Sequence, residues 1–273
     1  MKDIIDFDAM FEEYAMEWFK EHEGEYATDD EIEAVMPDVY ETWASSPSHK
    51  LGGIAPRAFF DSIEKPEELI GILVGTSEGE SNPSSLLLDA IVENGGCAEL
   101  LRSLLEKPTT SVKLKLICLH LLSESSAEHP LNTYLEWIQD ESTDEDLRED
   151  AIEVLKENAS KVKEKLFEIA AGASLEVKTI AAEILISAGR DDRTFELLTS
   201  LFAEGDNIPL YAQYLGMYGD ERAAAQLYRA LDTCNYAEYI EIKNAIERLG
   251  GVVDDTRDFT GDPTYELIKK KPQ

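Results

Sequence analysis

The chain has 273 residues, enough for one large domain or two ordinary ones, and its hydrophobic fraction of 43% is that of a globular chain rather than a disordered one. Its 57 aspartates and glutamates stand against 25 lysines and arginines, a formal net charge of -32. A field of that sign repels phosphate. It argues against nucleic acid and anionic membranes as partners and leaves basic proteins or divalent cations.

The acidity is uneven. Residues 1–80 hold 21 acidic and 5 basic side chains, more than twice the net charge per residue of the rest. Three widely spaced cysteines, Cys97, Cys118 and Cys234, form no CxxC pair and suggest no disulfide framework. Cys118, inside Leu116-Ile117-Cys118-Leu119, reads as a small buried hydrophobe. The opening residues lack a signal peptide's apolar stretch, so a reducing cytoplasm is the expected setting.

In chain order, nearly every segment reads as helix. Phe7, Met10, Phe11, Tyr14 and Trp18 recur at helical spacing up to Lys20. Thr28-Asp29-Asp30-Glu31 has the form of a capping box. The helix it opens meets Pro37, where a kink or a break and restart is expected. Residues 44–56 form a turn-rich loop in which Gly52-Gly53 makes a tight turn, and Pro56 and Pro66 stand at first helical positions. Gly75 is expected to end the second of these short helices, and polar residues 76–82 are the best linker candidate. Trp43, Pro47, Leu51, Gly52, Gly53, Pro56 and Arg57 look like a signature to which no function attaches.

Beyond that linker, helices are expected at 83–94, 97–106, 110–123, 130–139, 144–158, 161–171, 175–188, 192–203, 208–218, 220–231 and 236–249. Glycines stand at the ends, as at Gly95-Gly96, Gly172, Gly189, Gly205, Gly219 and Gly250-Gly251, where a left-handed cap would suit them. Thr143, Ser160 and Ser174 mark starts. From Thr256 to Gln273 periodicity fades, and Lys269-Lys270-Lys271 is a short basic run.

The later helices repeat. Thirty residues on from Ala181, Ile184, Ala188 and Gly189 stand Tyr211, Tyr214, Tyr218 and Gly219; sixty-one on stand Ile242, Ala245, Leu249 and Gly250. Gly189-Arg190-Asp191-Asp192-Arg193 matches Gly219-Asp220-Glu221-Arg222-Ala223. One such pair cannot bury its apolar face alone, but stacked pairs share a continuous core. The segments Gly219-Asp220-Glu221-Arg222-Ala223-Ala224 and Ala245-Ile246-Glu247-Arg248-Leu249-Gly250 resemble HEAT repeats, particularly the short bacterial kind of phycobilin-lyase-type proteins. The resemblance is best over residues 144–251 and weaker over 83–140. It implies an all-α fold, an α-α superhelix, organised as an acidic helical N-terminal domain (1–80), a repeat array (81–251) and an irregular tail (252–273).

In HEAT-like arrays the second helix of each pair lines the concave face. The resemblance therefore nominates Lys161, Lys165, Arg193, Glu196, Arg222, Gln226 and Arg229 as a partner-facing ridge. Tyr211, Tyr214, Tyr218 and Tyr228 crowd the same repeats. The first three keep core spacing, and the sharper reading makes the four an aromatic patch that grips a peptide. No catalytic set or metal-ligand spacing stands out, since the abundant acid pairs sit in helix first turns where the dipole favours them. The expected function is a non-enzymatic scaffold binding a protein or peptide, without a cofactor. The alternative is an enzyme or chromophore-handling protein, its pocket between the N-terminal domain and the repeats and its chemistry drawn from Trp18, Trp43, His49 and Arg57.

Overall fold

A computed structural model describes residues 6–26, 28–77, 82–254 and 257–269. Among them the fold is all-α, helices packing on helices, with no strand beyond an isolated bridge between Ser48 and Ile54. No described helix is long and apolar enough to cross a membrane. The chain divides into two compact units, residues 1–133 and 134–273.

The first unit contains α1 (Phe7–Glu21), α2 (Asp29–Ser45), α3 (Pro56–Asp61), α4 (Pro66–Ser77), α5 (Ser85–Glu93), α6 (Cys97–Glu106) and α7 (Val112–Glu124). Thr28 caps α2, its hydroxyl accepting from Glu31 N at 3.3 Å. Helix α2 runs through Pro37 without breaking. Proline's missing donor costs one intrahelical bond, and burial of Val39 and Trp43 on the same helix offsets it.

The Trp43-to-Arg57 signature is a structural joint. Trp43 is buried against Phe11, ring centroids 5.3 Å apart, and Leu51 and Pro56 are buried as well. Gly52 and Gly53 take φ of 68° and 91°, closing the turn in which Gly53 N donates to Ser48 O at 2.9 Å. Arg57 donates two parallel bonds to Glu41, at 2.8 and 2.9 Å, tying α3 to α2.

Helices α3 and α4 pack on α5, and α4 also packs on α6 and α7. The closest approach is at Gly96, where a Cβ would meet Pro66 Cγ at 2.5 Å. Neither Gly95 nor Gly96 has a positive φ, so neither is a left-handed cap. Gly172 ends its helix as expected but without a positive φ, and Gly75 sits within α4, which continues to Ser77. The expected left-handed glycines are found at Gly189, Gly205, Gly219 and Gly250.

The helix α8 (Leu131–Trp137) contains the division between the units. The second unit continues with α9 (Glu145–Glu157), α10 (Ala159–Gly172), α11 (Leu175–Ser187), α12 (Asp192–Glu204), α13 (Ile208–Tyr218), α14 (Ala224–Ala230), α15 (Tyr236–Arg248) and α16 (Pro263–Lys269). The starts are set by Asp144, Ser174, Asn207 and Asn235, each accepting from a backbone amide three residues on. Asp144, rather than Thr143, caps α9, and Asn158, rather than Ser160, precedes α10.

First helices α9, α11, α13 and α15 lie side by side in that order, with α10, α12 and α14 packed against them. The α13–α15 contact is the tightest, because Gly216 lets the backbones meet: a Cβ there would stand 2.9 Å from Ala245 Cα. The segment expected to be irregular carries a short helix, α16, and Phe259 ahead of it is buried against Tyr236 and Tyr239.

Candidate functional site

A shallow groove of about 450 Å³ crosses the exposed faces of the first helices α9, α11 and α13. Helices α9 and α11 each contribute an acid and, one turn on, an aliphatic residue, Glu149 with Ile152 and Glu176 with Ile180, while Asp206, in the turn just ahead of α13, stands with Leu210 of that helix. Side chains one turn apart share a helix face, which pairs the residues of α9 and of α11, and with Asp206 and Leu210 they line the groove as two rows. One row is acidic and exposed, joined by Glu145; the other is aliphatic and half-buried.

Bonds between successive repeats hold the rows in place. Arg148 Nη1 donates to Glu176 Oε1 at 2.9 Å, and the hydroxyls of Thr179 and Tyr211 share a 3.1 Å hydrogen bond at the floor. One turn further along the same helices, Lys156 bridges Glu153 (2.8 Å) and Glu183, while Tyr214 donates to Glu183 Oε2 at 3.0 Å. Burial, with Glu183 beside it, pushes the Tyr214 phenol well above its usual range. The last rung is Tyr218, whose hydroxyl accepts from Asp191 N at 2.7 Å and donates to Asp191 O at 2.8 Å. Tyr211, Tyr214 and Tyr218 are buried bracing residues, and only Tyr228 of the four tyrosines is exposed. They make no aromatic surface patch.

The second-helix residues are placed differently from the groove. Arg193 and Arg222 occupy equivalent positions in consecutive repeats, and both are clamps. Arg193 bonds Asp191 at its own helix start, forks onto Glu164 of the preceding repeat at 2.8 Å, and lies 4.0 Å over the Phe167 ring. Arg222 bonds Asp220, reaches Asp192 at 2.8 Å, and lies 4.2 Å over Phe195. Arg193 and then Lys163 hold the Asp191 carboxyl well below the usual carboxylate range. Gln226 donates to Thr199 O across the same step, and Lys161 donates to Asn158 Oδ1 at 2.8 Å. Lys165, Glu196 and Arg229 are exposed.

No protein-family model, curated protein or solved structure matches the chain. Chemical reading of the site therefore rests on its own atoms. Four carboxylates against one guanidinium accept from cationic donors, and the adjoining aliphatic row takes apolar contacts. Of the groove residues only Tyr211 stood among the sequence-based candidates, and there as part of an aromatic patch. The signal of the others was present as acid–aliphatic pairs three or four residues apart, at steps of 27 to 30 residues along the chain.

Proposed function

We propose that the chain is a non-enzymatic protein-binding module, a HEAT-like array that holds a segment of another protein across first helices α9, α11 and α13. The observation that carries the reading is the paired acidic and aliphatic rows along one groove. The net charge of -32 adds to it, since a long-range negative field draws in and orients a basic partner. The second-helix face is the weaker choice because its two central arginines are already bound to carboxylates and rings of the array.

Site-directed photo-crosslinking in cells of the source organism tests this. A photoreactive residue at Glu149 or Leu210 is expected to trap a discrete protein partner, and one at Glu196 or Arg229 is not. Adducts confined to the second-helix positions, or none from the groove, would refute the proposal.

A further inference from the structure

The groove's spacing specifies the conformation of what lies in it. Packed helices stand about 8–10 Å apart, so a segment crossing α9, α11 and α13 meets one acid–aliphatic pair per step of that length. A polyproline II helix has three residues per turn and rises about 3.1 Å per residue, so it returns to the same face every ~9 Å. A β-strand repeats its face at about 6.7 Å and falls out of step by the third helix. An α-helix repeats at about 5.4 Å and is about 10–12 Å across with its side chains. It would need a broad apolar floor, whereas this floor has two aliphatics from α11 and one each from α9 and α13, interrupted by the Thr179 and Tyr211 hydroxyls.

We infer that the occupant is a cationic peptide segment in polyproline II conformation, with lysine or arginine at every third position facing Glu149, Glu176 and Asp206 and an apolar residue in each triplet on Ile152, Ile180 and Leu210. This rests on the protein-binding reading above and adds the partner's sequence rule. Glu176 keeps most of its carboxylate exposed, with a side-chain exposure of 56%, although Arg148 holds one oxygen. Arg148 is thus a competing internal cation.

The full chain is titrated with two labelled nine-residue peptides of identical composition and charge. One is three repeats of Lys-Pro-Val; the other has its three lysines adjacent. Anisotropy is read at low and moderate salt, and amide shifts locate the site. The triplet peptide is expected to bind about tenfold tighter, a difference of about 1.4 kcal/mol, with shifts over residues 145–211. Glu149→Gln, Glu176→Gln and Asp206→Asn weaken it severalfold, while Arg148→Gln strengthens it, an outcome that mere structural damage would not give.

Equal binding of the two peptides, shifts on α10 and α12, or no binding of either overturns the inference. Groove-specific crosslinking would still stand in that case, so failure of the sequence rule and failure of the binding reading are separable.

Discussion

Two glycines that look alike in sequence do opposite jobs, and substitution should separate them. Gly71 is exposed in the middle of α4 with nothing within 4 Å of a Cβ, so Gly71→Ala is expected to raise stability by about 0.5–1 kcal/mol. A Cβ at Gly216 would stand 2.9 Å from Ala245 Cα, and Gly216→Val is expected to cost about 1–3 kcal/mol through overpacking. Urea midpoints of the two variants check both signs. Cys118 carries a third residue-scale expectation. Burial pushes its thiol up to about 12, from an ordinary 9.0. Below the ordinary value both states hold the proton; above it only the unfolded chain releases it. Stability is therefore lost as pH climbs from 9 towards 12. Cys118→Ala should show a shallower loss over that window in urea titrations at stepped pH.

Element-scale order comes from links between consecutive repeats, at separations of 27 to 32 residues. Arg193 and Arg222 are the most connected, each joining its own helix start to the preceding repeat. The Asp191 carboxyl that Arg193 and Lys163 hold down adds stability that is present above the ordinary carboxylate range and is lost as pH falls below it. Arg193→Gln should flatten that acid limb of the unfolding curve, whereas Arg229→Gln, on an exposed side chain, should leave it unchanged. The helices themselves were legible in sequence because caps and apolar spacing act within a few residues. Ser174, Gly205 and Gly219 were read correctly for that reason. Gly95 and Gly172 do stand at helix ends but without the left-handed φ, and Gly75 was misplaced, because a glycine inside a helix and one capping it are the same letter. What decides between them is whether the chain turns there. At Pro37 the helix does not break and restart, since the burial of neighbours that carries α2 through is invisible locally.

At the scale of the whole molecule, the repeat was legible and the surface it builds was not. The period could be read from Ala181, Tyr211 and Ile242, but which charged side chains are already bound within the array depends on bonds such as Arg222 to Asp192, made thirty residues apart. A repeat array also has an end problem, because the apolar face of a terminal helix lacks a following repeat to cover it. Residues 257–269 supply that cover for α15. Phe259 packs on Tyr236 and Tyr239, Arg257 stacks 4.8 Å over Phe259 and donates to Cys234 O at 2.6 Å, and Asp262 accepts from Tyr236 N at 3.0 Å. Burying a phenylalanine is worth about 1.5–3 kcal/mol, a large share of a typical domain's margin. Removing residues 252–273 takes away this cover together with Val252, which holds the Tyr228 hydroxyl. The truncated chain is expected to expose the Cys234 thiol, buried in the intact protein, to a thiol reagent under native conditions. Cys97 and Cys118, in the other unit, should stay protected. Labelling of all three thiols at equal rates would mean that the loss spreads beyond the last repeats, and labelling of none would mean that α15 is held without the covering segment.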